Sequence, residues 1–133
     1  MNFIEMNDSL PNGLHDAQVE TIRYDLLDRV ILIQVFVWVG TMADPPETRE
    51  RYRRGLMRFG QTAFFAKSAP YDGSDLQTCI LQCGQNKDLD WKSKEPATPE
   101  TYRFFTGYCE IDIESKEFNF EWLEDEVNCW TEG

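Results

Sequence analysis

The sequence feature that most constrains the fold is the apolar run from Val30 to Val39, which only Gln34 interrupts. Six of its ten residues are Val or Ile. Because β-branched side chains lose rotamer freedom in a helix and pack well on a pleated surface, the run predicts a strand. Both of its faces are apolar, so we expect it in the interior of a sheet with both faces covered.

The segments around this run show the alternation of apolar and polar residues that is typical of strands. The short turn Leu26 to Asp28 joins the run to the segment before it, and so short a loop predicts an antiparallel pair. After Gly40, the proline-containing stretch predicts at most a brief helix over Thr48 to Arg51, with Asp44 as its cap. The other predicted strands are Ala17 to Tyr24, Arg53 to Phe65, Thr78 to Cys83, Cys109 to Ile113 and Phe118 to Trp122.

The C-terminal part of the chain alternates most regularly. Ser115-Lys116 lies between two alternating segments, so we expect a tight turn there and a C-terminal hairpin. Gln85 to Pro99 is polar and contains proline, which predicts an exposed loop. These patterns predict that residues 1–133 form a single β-rich domain, all-β or β-rich α+β. We expect a mostly antiparallel sandwich or curved sheet of about six to eight strands, with at most one or two short helices.

The charge of the chain limits its partners. There are 24 acidic and 13 basic residues, a net charge of −11. A nucleic-acid-binding protein needs basic residues to neutralise phosphates, so no nucleic-acid partner is expected. Residues 100–133 contain ten acidic and two basic residues, whereas residues 42–67 contain three acidic and six basic ones. The protein is expected to present a strongly negative surface and a locally positive edge, unless the arginines offset acids elsewhere in the chain.

Location also follows from the sequence as an expectation. The longest apolar run is far shorter than the ~20 residues that a membrane helix needs, so no membrane contact is expected. Residues 1–10 contain Glu5 and Asp8, no basic residue and no apolar core, and so do not resemble a secretory signal. The expected compartment is the cytoplasm.

Four cysteines raise the question of a metal site or a disulfide: Cys79, Cys83, Cys109 and Cys129. A zinc knuckle usually needs two close pairs, and here only Cys79 and Cys83 form one. On a strand these two would lie roughly 13 Å apart, too far for a disulfide bond. We expect reduced, structural cysteines and predict no metal or other cofactor, with zinc and a disulfide as the less favoured alternatives.

The pair His15-Asp16 is the most conspicuous candidate for chemistry. Such pairs occur in metal phosphohydrolases, but those sites need further histidines and this chain has one. As a general base, His15 would need a nucleophile such as Ser9, Cys79 or Cys109, and none has a supporting local motif. We predict no catalytic residue, and we expect His15 to cap the entry to the first strand. His15 and Asp16 remain candidate binding residues, and a small hydrolase that uses His15 is the least favoured alternative.

A row of carboxylates is the second candidate. Glu110, Asp112 and Glu114 are expected on the wet face of the predicted hairpin, with Glu121 opposite. Like charges in this arrangement repel one another, so they bind a cation, contact a basic partner or stay solvated. Calcium usually takes its ligands from a loop that bends at glycine, and a row on a hairpin does not fit that pattern. These four residues are therefore predicted binding residues.

Three short motifs resemble a family of uncharacterised bacterial domains. They are Leu14-His15-Asp16-Ala17, Trp38-Val39-Gly40, and Tyr52-Arg53-Arg54-Gly55-Leu56 with Phe59, followed by a final hairpin that reaches Trp122. The opening is similar to the Leu/Phe-His-Asp-Ala opening of those domains and to that of some polymorphic-toxin immunity domains. That resemblance implies a protein that binds and blocks a cognate toxin. Residues 71–99 depart from the pattern, and no catalytic residue is carried over.

These observations predict a non-enzymatic binding protein, immunity-like, that presents an acidic C-terminal hairpin to a basic protein partner. Complementary charge speeds association and selects partners, which is the physical reason for this prediction. The alternative is a structural or regulatory module that forms a homo-oligomer through its aromatic-rich faces.

Overall fold

The computed structural model describes residues 2–68, 80–85, 100–106 and 110–129. These ranges contain two short helices, α1 (Phe3–Ser9) and α2 (Pro46–Arg49). They also contain eight strands, which are β1 (Pro11–Leu14), β2 (Gln18–Asp25), β3 (Val30–Trp38), β4 (Arg51–Lys67), β5 (Ile80–Gln85), β6 (Glu100–Thr106), β7 (Glu110–Trp122) and β8 (Val127–Asn128). The predicted fold class, a mostly antiparallel sheet with two short helices, is confirmed.

Seven of the described strands form one sheet in the order β2-β3-β4-β7-β6-β5, with β8 paired to β4. All of the pairs are antiparallel. The apolar run forms β3, between β2 and β4, so its predicted interior position is confirmed. Its inner face is fully buried, whereas its outer face, from Val30 to Trp38, is only half-buried. The expectation that both faces would be covered is wrong, because the outer side chains pack beside arginines of β4 that are themselves partly exposed, such as Arg54 opposite Phe36.

Helix α1 covers the inner face of the sheet, and the sequence patterns above did not predict it. Asn2 caps it by accepting a hydrogen bond from the amide of Glu5 at 2.8 Å. Phe3 and Met6 are buried, and the Phe3 ring makes edge contacts with aromatic rings of β6 and β7. These aromatic residues fill the space between the helix and the sheet, so the interior of the described structure is a packed core.

Strands β4 and β7 bend together near their middles. In β4 the bend contains Gln61, with φ of +47°, and a register shift between Thr62 and Phe64. In β7, Ser115 is buried, and the strand continues without a break from Glu110 to Trp122. The predicted tight turn at Ser115-Lys116 and the predicted C-terminal hairpin are therefore wrong. The alternation of inward and outward side chains shifts by one residue at this point. In the sequence, such a shift looks the same as a turn between two strands.

The two edges of the sheet approach each other at one end. The amide of Asp16 donates to the Ile80 carbonyl at 2.9 Å, and the Ile80 amide donates to the Ala17 carbonyl at 2.7 Å. These bonds link the first residue of β5 to the entry of β2, so the sheet is strongly curved. None of the helices in the described ranges has the length and apolar character required to cross a membrane.

The second helix and strand β5 differ from their predicted bounds. The second helix is α2 rather than Thr48 to Arg51, and Pro45 precedes it as the cap; Asp44 instead accepts from the Thr41 amide and pairs with Arg51. Strand β5 confirms part of the strand predicted over Thr78 to Cys83. Residues 78 and 79 and the predicted loop at 86–99 lie outside the described residues.

Candidate functional site

Three of the predicted binding residues lie side by side on the outer face of β7. Glu110, Asp112 and Glu114 alternate along the strand with Ile111 and Ile113, which are buried in the core. We call these three carboxylates the acidic row. Same-face neighbours on a strand are about 7 Å apart, so the three charges repel one another at a partly desolvated surface.

One arginine lies within the acidic row. Arg103 of β6 is opposite Asp112, and its Nε lies 2.6 Å from an Asp112 carboxylate oxygen. This hydrogen bond raises the pKa of Arg103. The pKa of the Glu110 carboxyl is also raised, first by its hydrogen bond with the Asp112 carboxyl and then by partial desolvation. Arg103 thus pairs with Asp112 and lies near Glu110, and the three carboxylates of the row outnumber this one guanidinium.

An exposed aromatic side chain borders the acidic row. Phe64 of β4 is opposite Glu114 and is 48% exposed. The bulge before it turns Phe64 outward and Phe65 inward, where Phe65 contacts the ring of Tyr24 with centroids 5.4 Å apart. The sequence pattern places Phe64 and Phe65 only at the end of the strand predicted over Arg53 to Phe65. Their separation onto opposite faces depends on the irregular register of β4, which no residue pattern indicated.

Glu121 does not belong to the acidic row. It lies near the other end of β7, opposite Leu56, and is exposed. Because β7 is a single strand, Glu110 and Glu121 are roughly 35 Å apart along it rather than facing each other across a hairpin. The predicted juxtaposition of Glu121 with the row is therefore wrong.

His15 and Asp16 lie in the connection between β1 and β2. The Nδ1 atom of His15 is 3.2 Å from an Asp16 carboxylate oxygen, and the two side chains are 61% and 44% exposed. Asp16 has a φ of +66°, and its amide bonds to Ile80. The backbone at Asp16 and Ala17, rather than the imidazole, fixes the entry to β2. Among the described residues His15 is a surface side chain, outside the acidic row and without an enclosing pocket.

Ion pairs connect three arginines of the basic segment at residues 42–67 to one acid of that segment and to four acids elsewhere. The pairs are Arg51 with Asp44 and Glu126, Arg54 with Glu20 and Glu124, and Arg58 with Glu117, at N–O distances from 2.9 to 3.7 Å. Three of these five acids come from the C-terminal acidic segment. The arginines thus offset acids internally, and the expected positive edge is largely neutralised. In the acidic row, by contrast, only Asp112 forms an ion pair among the described residues.

The described residues hold no group of three metal-binding side chains. Cys83 is buried and Cys129 is half-buried, and both are free thiols. Burial raises the pKa of the Cys83 thiol to about 12, which suits a packed side chain better than a metal ligand or a nucleophile. Cys79 and Cys109 lie outside the described residues.

Comparisons with known proteins do not assign the chain to a family, because no family model, no curated protein and no solved structure matches it. The resemblance to bacterial domains with a His-Asp-Ala opening therefore stays a prediction. The geometry of the outer face carries the functional argument.

Proposed function

We propose that this chain is a non-enzymatic binding protein, immunity-like, that uses the outer face of β7 against a basic protein partner. The observation that carries the proposal is the acidic row with Phe64 at its border. Three carboxylates share one face, a single arginine is paired within them, and an exposed aromatic ring lies opposite Glu114.

The two parts of this surface have complementary roles in a protein interface. The carboxylates attract a basic surface over a distance of several ångströms, which raises the association rate and selects against acidic partners. An aromatic side chain buried at the centre of such a contact supplies the apolar anchor that charge alone does not provide. Phe64 is already half exposed in the free protein, so it can be buried without rearrangement of the sheet.

The filled interior also supports a surface function. The inner face of the sheet is occupied by α1 and by aromatic side chains, including Phe3, Phe59 and Tyr102. These side chains pack against one another and against the helix, so binding is assigned to the outer face. Of the two charged features predicted from the sequence, the acidic row is the one that internal ion pairs leave in excess.

The proposal is tested with two variants of equal charge. The row variant is Glu110→Gln, Asp112→Asn and Glu114→Gln. The control is Glu5→Gln, Asp8→Asn and Glu47→Gln, three exposed acids away from the row. Each variant loses three negative charges, from −11 to −8.

Partners are captured on immobilised full-length chain, identified by mass spectrometry, purified, and measured by surface plasmon resonance. We expect a basic partner whose association slows about tenfold or more with the row variant and changes little with the control. The difference should shrink between about 50 mM and about 500 mM salt. An acidic partner, or equal rates for both variants, would contradict the proposal.

A further inference from the structure

The turn of the β2–β3 hairpin exposes two leucines. Leu26 is 77% exposed and Leu27 is 95% exposed, more than any other large apolar side chain in the described residues. Side chains so fully solvated contribute little to the stability of the free protein. Adjacent exposed leucines on one turn are therefore available for a contact with another surface.

The turn is held in one conformation before any contact forms. The Asp25 carboxylate accepts hydrogen bonds from the amides of Leu27 and Asp28, at 3.0 and 2.9 Å. Arg29 has a φ of +54°, and its carbonyl accepts from the Thr62 amide at 2.9 Å. A turn fixed by these bonds loses little conformational entropy when its leucines are buried.

A cleft of about 360 Å³ lies beside this turn on the outer face of the sheet. Val30 and Leu32 supply its apolar lining, and Arg23, Arg58 and the turn acid Asp28 line it as well. Arg23, Leu32 and Arg58 occupy one row across β2, β3 and β4, with the leucine between the two guanidinium-bearing residues. The cleft thus combines an apolar floor with charges of both signs.

Only some of the charged side chains that line the cleft have partners: Arg58 pairs with Glu117, and Asp25 accepts the two backbone bonds of the turn. Among the described residues, the side chains of Arg23 and Asp28 form no ion pair, although both line the same cleft. Arg51, Arg54 and Arg103, by contrast, are all paired. A two-fold axis would place the basic side of one cleft against the acidic turn of a second copy, and the reverse contact would form at the same time.

We propose that the turn Leu26–Leu27 of one copy inserts into the cleft of a second copy, which forms a two-fold homodimer. The leucines cover Val30 and Leu32, and Asp28 of each copy meets Arg23 of the other. A second copy fits better than a lipid surface or a uniformly charged protein, because the turn region carries two acids and two bases: Arg23, Asp25, Asp28 and Arg29. A partner of one sign would be repelled by half of them.

The first test measures the dimer dissociation constant of the full chain by sedimentation equilibrium, over about 1 µM to about 1 mM protein. The variant Leu26→Asn with Leu27→Asn should weaken the dimer at least tenfold. The control is Met42→Asn with Leu123→Asn, two exposed apolar side chains elsewhere that are 70% and 45% exposed. It should leave the dissociation constant within about threefold of the original value.

The second test exchanges charges. Arg23→Asp alone or Asp28→Arg alone should each weaken the dimer about tenfold, because each places like charges together across the interface. The two changes combined restore the opposite pairing and should return the constant to within about threefold of the original. A chain that stays monomeric throughout, a dimer insensitive to the leucines, or single changes that the combination does not rescue would overturn the proposal. Binding of the monomeric chain to phosphatidylcholine vesicles through Leu26 and Leu27 would also overturn the proposal.

This inference does not depend on the proposed function. The dimer contact uses the β2–β3 turn, whereas the basic partner is assigned to the acidic row of β7. The row variant should therefore dimerise normally.

Discussion

The Ser115 hydroxyl lies 2.6 Å from the carbonyl oxygen of Gly60, and both residues are buried where the two longest strands bend. The same hydroxyl is 2.7 Å from the carbonyl of Glu117 in its own strand. These contacts provide a hydrogen-bonding group for backbone carbonyls at a point where the regular hydrogen bonding between β4 and β7 is interrupted. The bend in turn determines which residues of β4 and β7 point outward, including Phe64 and the acidic row.

We expect Ser115→Ala to lower the free energy of unfolding by about 1–2 kcal/mol, because it removes a buried hydrogen bond and leaves a carbonyl unsatisfied. Urea unfolding followed by tryptophan fluorescence measures the change. Thr21→Ala on the exposed part of β2 is the control and should change stability by less than about 0.5 kcal/mol. Equal effects of the two substitutions would show that the Ser115 contact is not stabilising.

Two glycines should differ in their tolerance of alanine. A Cβ at Gly40 would lie 2.0 Å from the Arg49 backbone carbonyl oxygen, whereas a Cβ at Gly55 would lie 2.4 Å from the end of the Phe120 ring. A ring can turn aside more easily than backbone. We expect Gly40→Ala to destabilise by about 3 kcal/mol or more and Gly55→Ala by about 1 kcal/mol. Chemical denaturation of both variants tests the order, and the reverse order would contradict it.

The raised pKa of Glu110 should depend on Asp112. Asp112→Asn removes the neighbouring charge and frees Arg103, so the pKa of Glu110 should fall toward or below its ordinary value. Carbon-detected NMR titration of the carboxyl groups measures this shift. Glu121→Gln, at the far end of β7, should leave the Glu110 pKa unchanged, and a similar shift in both variants would refute the coupling.

Stability should fall in alkaline solution. Desolvation raises the pKa of Cys83 from 9.0 to about 12 and contributes most to raising that of Tyr52 from 10.0 to about 12. The pKa of Tyr102 is also raised, chiefly by burial. Because the unfolded chain loses these protons first, their contribution is intact below about pH 9 and is lost as pH rises toward 12.

Each group contributes a slope of up to about 1.4 kcal/mol per pH unit within its own window. Urea midpoints at several pH values should show this decline, and it should be shallower for Tyr52→Phe. A midpoint that stays constant as pH rises from about 9 to about 11 would contradict the prediction.

Cys83 should resist alkylation in the folded protein. With a pKa of about 12, only about one thiol in ten thousand is ionised at pH 8, and the side chain is 3% exposed. Cys129 is half-buried and should react with iodoacetamide before Cys83 does. Peptide mass spectrometry after timed labelling distinguishes the two sites, and both should react in urea. Rapid labelling of native Cys83 would show that its environment is open.

The central strand was predicted correctly because the residues of the run themselves favour a strand, whatever surrounds them. β-Branched residues disfavour a helix, and the run from Val30 to Trp38 forms β3 between two antiparallel neighbours. The signals for α1 were present but weak. Asn2 is a good cap, and Phe3, Met6 and Leu10 have helical spacing, but a seven-residue helix depends on packing for its stability.

The candidate site was predictable only in part. The alternation around Ile111 and Ile113 correctly placed the acidic row on the face opposite the core, where the three acids are half-buried rather than fully exposed. The predicted position of Glu121 was wrong because the irregularity shared by β4 and β7 shifts the alternation of inward and outward side chains, as a turn would. The partners of the arginines could not be predicted either, since Glu124 is 70 residues from Arg54 and only the sheet brings them together.

The position of α1 has a consequence for synthesis. The Phe3 ring contacts Tyr102, Phe104 and Phe118, with centroids 5.4 to 5.8 Å apart. During translation α1 would leave the ribosome about a hundred residues before the strands that bury it, so its apolar face would stay exposed until those strands follow. The core around Phe3 can therefore close only after β6 and β7 have been synthesised, and slow translation of the segment between them and α1 would prolong the need for chaperones.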